Sequence, residues 1–201
     1  MRDRLKKNAK VLGVELNSGQ LAQFERYFAL LKQWNARINL TALESEEEIV
    51  DGHFVDSLGA LAVLGDGKTL IDVGSGAGFP GAVLAIARPD LTVTCVDSVQ
   101  KKVGFLQTLR REVVAIEPIC SRAELIGRRF DIAISRAALP PERWLKLGRD
   151  LIVPSGRVIV MLAAAPDSTA LQSVHYPVGD ATHWAAAFGA ADSTAPAGAV
   201  P

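Results

Sequence analysis

The chain has 201 residues, 49% of them apolar, with 22 basic and 22 acidic side chains. That length suits one domain of usual size plus a small extension, and the apolar share is that of an ordinary globular protein. No apolar run reaches the ~20 residues of a membrane helix, the start Met1-Arg-Asp-Arg-Leu-Lys-Lys7 has no apolar stretch of the signal-peptide kind, and Cys95 and Cys120 lie in no metal or redox spacing. These features predict a cytoplasmic protein with reduced thiols, no metal and no membrane contact.

The zero net charge is unevenly spread. Residues 1–40 carry eight Lys/Arg against three acids, residues 41–98 two against ten, and residues 98–149 eleven against five. The two basic regions suit either a phosphate backbone or ordinary solvated helix faces.

In chain order, residues 1–60 read as helical. Asn17 or Ser18 caps a helix on which Leu21, Phe24, Phe28, Leu31 and Trp34 form an apolar stripe. Asn39 and Thr41 suggest a helix end and a new cap, with Glu44 to Glu48 in the next first turn. His53 and Asp56, at i and i+3, share a face and read as a structural contact between the helical part and a sheet. Gly65-Asp66-Gly67 is a turn, and the boundary between a helical region (1–64) and the main domain (65–180) falls there.

The main domain opens on Leu70-Ile71-Asp72-Val73, a buried-strand pattern, followed by Gly74, Gly76, Gly78, Pro80 and Gly81 and then by the apolar run 82–87. This is strand, glycine turn, helix, with Pro80 expected at the first helical position. Such a turn cradles an anionic or polar ligand at a helix N-terminus. The spacing of Gly76, Gly78 and Gly81 fits a dinucleotide fingerprint, which alone is weak. Two acids add to it. Asp72 precedes the glycines, and Asp97 ends the next strand 23 positions after Gly74, where ribose hydroxyls are bound in doubly wound folds. That pair resembles class I S-adenosylmethionine methyltransferases more than nicotinamide enzymes. A carboxylate such as Asp72 beside the loop suits the ammonium of that cofactor.

Strands are expected at 69–73, 92–97, 116–120, 130–135 and 156–162, with helices near 79–88, 99–113, 123–127 and 142–151. The alternation predicts an α/β fold: a doubly wound, mostly parallel Rossmann-like sheet with a small N-terminal helical extension. His175-Tyr176-Pro177-Val178 reads as a short strand. Residues 185–201 hold eight alanines in seventeen with no period, and 181–201 read as a disordered tail.

Several motifs in one order resemble the bacterial ribosomal RNA small subunit methyltransferase G family, also called glucose-inhibited division protein B. They are Trp34-Asn35 with Asn39-Leu40-Thr41, His53 with Asp56-Ser57-Leu58, the run Ile71 to Gly81, Val96-Asp97-Ser98 with Lys101-Lys102 and Phe105-Leu106, Ser121-Arg122-Ala123-Glu124, and Ile134-Ser135-Arg136-Ala137. The resemblance spans roughly residues 20–162. It implies methylation of guanine N7 in 16S ribosomal RNA by S-adenosylmethionine, on 16S RNA or the small subunit; a monomer is expected separately from the resemblance. It also implies cofactor contacts at Gly74, Phe79, Ala123, Glu124 and Arg136, to which the glycine turn itself adds Gly76, Gly78 and Asp97. Two departures stand out. The family usually has Lys-Gly after the fifth strand, where this chain has Val160-Met161-Leu162-Ala163-Ala164. The family also ends in a β-hairpin, where this sequence reads as an Ala/Gly/Pro tail.

No Asn/Asp-Pro-Pro-aromatic motif and no cysteine follows the fourth strand; Ser135-Arg136 stands there instead. That disfavours exocyclic-amine and pyrimidine-ring chemistry and makes Arg136 the candidate catalytic residue, a planar donor for guanine O6, a phosphate or the cofactor. A loop arginine of this kind is expected to carry little stability. Two other classes compete: a non-catalytic cofactor- or RNA-binding relic of a methyltransferase, and a nicotinamide-dependent oxidoreductase.

Overall fold

A computed structural model describes residues 1–136, 138–166 and 169–190. Seven strands form one sheet in the order β3-β2-β1-β4-β5-β7-β6. They are β1 (Thr69–Val73), β2 (Thr92–Asp97), β3 (Glu117–Cys120), β4 (Phe130–Ser135), β5 (Ile152–Leu162), β6 (Gln172–Val178) and β7 (Ala181–Gly189). The first five pair in parallel, and β7 runs antiparallel to both β5 and β6. Strand order reverses between β1 and β4, so the carboxyl ends of β1, β2 and β4 surround the crevice where doubly wound sheets hold ligands.

The helical region begins with α1 (Arg2–Val11), which buries Leu5 and Ala9. In α2 (Ser18–Ile38), Asn17 is the cap and exchanges hydrogen bonds with Gln20, a capping box. Asn39 ends α2 in the left-handed conformation, φ 48°. Ser45 caps α3 (Glu46–Ile49) through Glu48. The chain then widens into a π-helical stretch, Val50–Val55, continues as α4 (Asp56–Gly59) and tightens to a 3₁₀ turn at Ala60–Val63. Helix α5 (Gly81–Ala87) starts one residue after Pro80, which sits at its cap. Helices α6 (Gln100–Glu112) and α7 (Pro141–Asp150) follow, and the segment expected as a helix at 123–127 is a 3₁₀ turn, Ala123–Leu125.

The helical region and the sheet share one core: Phe24, Tyr27, Leu31 and Phe54 pack with Leu70, Val83, Phe105 and Leu109. On the opposite sheet face Trp144 of α7 is buried and donates its Nε1–H to the Ile159 carbonyl at 2.8 Å.

The expected disordered tail is corrected over Ala181–Gly189, which is β7, and the chain therefore does end its sheet in a hairpin. Alanines carry no period, so nothing in the sequence marks the strand. Its order comes from lying between β5 and β6, where Ala185, Ala186 and Ala187 are fully buried. Residues 191–201 of that expectation lie outside the described residues, as does Ala137 of the family motif.

Candidate active site

The glycine turn is built by hydrogen bonds to its neighbours. Gly74 and Ser75 donate backbone N–H to the Val96 carbonyl at 2.8 and 3.1 Å. Ser75 Oγ bonds back to the Asp72 carbonyl at 2.8 Å, and Gly78 and Phe79 donate to the Ser75 carbonyl at 2.7 and 3.0 Å. Gly74 has φ 72°, and a Cβ there would stand 2.4 Å from Cβ of Ala138, so only glycine lets the loop after β4 close over β1.

Asp97 fastens this turn to the next strand end. Its Oδ2 accepts from Gly76 N at 2.9 Å and its Oδ1 from Val99 N at 2.8 Å. Two of its roughly four acceptor positions are thereby used, and the remainder suit ribose hydroxyls.

A cleft of about 580 Å³ lies at these strand ends, lined among others by Val73, Gly74, Val96, Asp97, Ala123, Glu124 and Arg136. Five of the expected site residues thus meet at one cavity: Gly74, Asp97, Ala123, Glu124 and Arg136. Gly76 does not line it but bonds Asp97, which does. Gly78 and Phe79 stand behind it. A Cβ on Gly78 would lie 2.6 Å from Tyr27 Oη, and Phe79 is buried with its ring stacked on Tyr27 and His53, centroids 5.3 and 4.3 Å apart.

Asp72 is fully buried on the helix side of β1 and does not line the cleft. Its Oδ2 accepts from Gly81 N at 2.9 Å, at the start of α5, while Oδ1 meets no hydrogen-bond partner among the described residues. Burial raises its pKa to about 7, offset in part by the Gly81 N–H. Its role is to seat the helix that follows the turn, rather than the ammonium contact expected of it.

Arg136 is the most connected side chain at the cleft. Its Nη1 donates to the Gly52 carbonyl and to Asp56 Oδ2, both at 2.8 Å, and its Nη2 lies 2.8 Å from His53 Nδ1. Since guanidinium only donates, Nδ1 must accept, which leaves the proton of a neutral imidazole on Nε2, 2.6 Å from Thr41 Oγ1. His53 stays neutral because burial, then the Arg136 charge, pulls its pKa down to about 3. His53 and Asp56 therefore form the anticipated link between helices and sheet, with Arg136 as the element that joins them. Among the described residues three of the five guanidinium N–H groups are used, which leaves Nε–H and one Nη2–H.

The apolar walls Val73, Val96, Val99, Ala123 and Leu139 suit the faces of an adenine, Asp97 suits a ribose, and the remaining Arg136 donors suit a carboxylate. The residues present fit S-adenosylmethionine. Sequence reasoning missed Tyr176 and His183, which reach Asp56 from the hairpin (3.2 and 2.9 Å). No local pattern marks them, because their partner lies more than a hundred residues away in sequence.

The sheet order, its antiparallel seventh strand and the cleft at the switch point define a class I methyltransferase. Solved structures bear out the fold: magnesium protoporphyrin IX methyltransferase from Synechocystis PCC 6803 with bound S-adenosylmethionine superposes with TM-score 0.56 at 16% identity, covering 86% of this chain and 97% of that one. The N-methyltransferase NodS from Bradyrhizobium japonicum WM9, in complex with S-adenosylhomocysteine, gives 0.55 at 14%, covering 81% and 97%. Residues 20–174 match the family model for rRNA small subunit methyltransferase G. The ribosomal RNA small subunit methyltransferase G of Anaeromyxobacter dehalogenans (strain 2CP-C) is 37% identical over 177 residues, 85% of this chain and 82% of that protein. Its namesake from Roseiflexus castenholzii (strain DSM 13941 / HLO8) is 38% identical over 180 residues, 85% and 77%. The chain belongs to the rRNA small subunit methyltransferase G family.

Proposed function

We propose that this protein transfers the methyl group of S-adenosylmethionine to N7 of a guanine in 16S ribosomal RNA, acting as a monomer on the small subunit in the cytoplasm. The observation that carries the reading is the convergence of Gly74, Asp97, Ala123, Glu124 and Arg136 on one cleft in a chain of this family. When bound, the cofactor supplies an electrophilic methyl on a sulfonium. The protein then has to orient two partners and exclude water. Guanine N7 carries a lone pair and no proton, so no general base is required. The site agrees, since both nitrogens of His53 are engaged. Arg136 has two N–H groups left for O6, a phosphate or the cofactor carboxylate. A donor on N7 itself would block the nucleophile.

Incubation of the protein with small ribosomal subunits and methyl-labelled cofactor, with the base mapped, tests the reading. Label on a guanine N7 of 16S RNA is expected. Label elsewhere, or none, overturns it. Cofactor binding without transfer would instead favour the relic, a reading prompted by the missing lysine after β5. Calorimetry that finds affinity for NAD rather than S-adenosylmethionine would favour the oxidoreductase.

A further inference from the structure

Asp56 lies at the first position of α4 with its side chain 6% exposed, and its two carboxylate oxygens face different parts of the molecule. Oδ2 holds Nη1 of Arg136, at the cleft. Oδ1 takes Tyr176 Oη and His183 Nδ1, from the hairpin. Tyr176 and His183 are directly opposite each other in the β6–β7 register, so one cross-strand pair presents both groups to one oxygen. The fit is cut close: a Cβ on Gly59, one turn after Asp56, would stand 2.3 to 2.6 Å from three Tyr176 ring carbons. The tyrosine ring packs against the bare backbone of Gly59, and its hydroxyl reaches Asp56 Oδ1 from there. None of these hairpin residues lines the cleft.

We propose that Asp56 is a positioning residue for Arg136, and that the Tyr176–His183 pair fixes Asp56, making the C-terminal hairpin a working part of the methyl-transfer site. This rests on the reading that the cleft holds S-adenosylmethionine and that Arg136 orients the reactants. An arginine has four side-chain torsions, and a carboxylate alone at the start of a short helix turns about two. Two donors on Oδ1 remove that freedom and leave Oδ2 aimed at Nη1. His53 and the Gly52 carbonyl supply the rest of the clamp. Such precision matters because a site displaced by about 1 Å loses on the order of 10²-fold in rate.

The test uses four variants of the whole protein. Asp56→Asn keeps the shape but removes the charge, Tyr176→Phe and His183→Gln each cut one hairpin contact, and Gly59→Ala lifts the tyrosine without deleting a polar group. Asp56→Asn is expected to lower kcat by about 10²-fold with a much smaller change in KM for the small subunit. The three others are expected to lower kcat by several-fold. Added to Asp56→Asn, Tyr176→Phe or His183→Gln should cost less than in the parent, because the amide has already lost the charge through which the hairpin donors hold Arg136. Additive losses overturn the proposal, as do hairpin variants that melt earlier yet turn over like the parent. Gly59→Ala, which overlaps the tyrosine ring, and Asp56→Asn, which takes the charge from a buried pair, are the changes that endanger folding, and the two hairpin variants decide the matter without them. S-adenosylhomocysteine affinity, read by calorimetry, separates this proposal from the function on which it rests. A parent protein that binds the cofactor product but methylates no guanine strikes only the function. Affinities that follow the same order and the same non-additivity then uphold the positioning role, and affinities unchanged in every variant overturn it.

Discussion

At the scale of single residues, Arg136, the proposed donor to the reactants, is also held in a buried ion pair, so a loss of stability is predicted on its removal where the sequence alone suggests little. Its side chain is 18% exposed and its partner Asp56 6%. Arg136→Ala leaves a buried carboxylate with only its hairpin donors. Breaking a buried pair from one side costs about 3–5 kcal/mol, and the donors that remain bring this toward the lower end. Turnover should fall by on the order of 10²–10³, and the melting temperature should fall with it. Arg136→Lys should restore little, because one ammonium cannot serve Gly52, Asp56 and His53 in a plane. A lysine variant with near-normal turnover would remove the geometric role. Asp72 makes a second, independent prediction. Its folded pKa, near 7 and raised by burial, lies above the unfolded value of about 3.9. Between pH 4 and 7 the folded state keeps a proton that the unfolded state gives up, so this group makes stability fall as pH rises through that window. The loss is of order 4 kcal/mol by the top of it. Asp72→Asn, whose oxygen can still accept from Gly81, should raise the melting temperature at pH 8 far more than at pH 4. An equal change at both pH values would show Asp72 ionised in the fold.

At the scale of elements, what was legible was what repeats locally. The strand, glycine turn and helix around Gly74 declared themselves because an apolar run, a cluster of glycines and an acid lie within a dozen residues. The β-α alternation gave β1, β2 and β4 to the residue for the same reason. What the sequence hid was set by tertiary contact. Strand β7 is alanine-rich and exists because β5 and β6 flank it. The junction of Asp56, Arg136, Tyr176 and His183 draws on four elements that no spacing connects. The i, i+3 spacing put His53 and Asp56 on one face across the end of the π-helical stretch Val50–Val55, but it could not reveal that Arg136, some eighty residues on, is what they hold. Helix α1 shows the same limit for charge. Its cations belong to the first basic region, but Arg4 grips Asp51 (Nη2 to Oδ2 2.6 Å) beside Asn8, and Arg2 pairs with Glu25. Lys6, Lys7 and Lys10 are the α1 cations that carry no ion pair among the described residues. Arg4→Ala should therefore lower the melting temperature, since Asp51 is nearly buried, while leaving RNA affinity and its salt dependence unchanged. A shallower salt dependence in that variant would return Arg4 to the interface.

At the scale of the whole molecule, a protein with no net charge has no general attraction for RNA, so binding must come from local excess. The basic stretch 98–149 supplies it selectively. Arg128 is paired with Glu117, Arg129 bonds the Ile152 carbonyl and Arg136 is held by Asp56. Lys102 and Arg122 line the cleft, and Arg143 and Lys146 line a smaller cavity that shares Glu124, Leu139 and Leu147 with it. These four carry no ion pair among the described residues, and they lie about the cleft and the smaller cavity beside it. RNA phosphates are expected to follow these four cations. Each phosphate contact removed should shallow the slope of log K against log salt by about 0.7–0.9. Replacing Arg143 and Lys146 by Gln should thus reduce the slope by about 1.4–1.8 if both touch phosphate, with S-adenosylhomocysteine affinity unchanged because neither lines the cofactor cleft. The same pair of changes in α1, Lys6→Gln with Lys7→Gln, gives the comparison. If the slope moves with the α1 lysines and not with Arg143 and Lys146, the RNA lies over the helical region and reaches the cleft from that side. If it moves with Arg143 and Lys146 alone, the helical region serves to hold Arg136 and the turn in place, and the sheet edge is the RNA-binding surface.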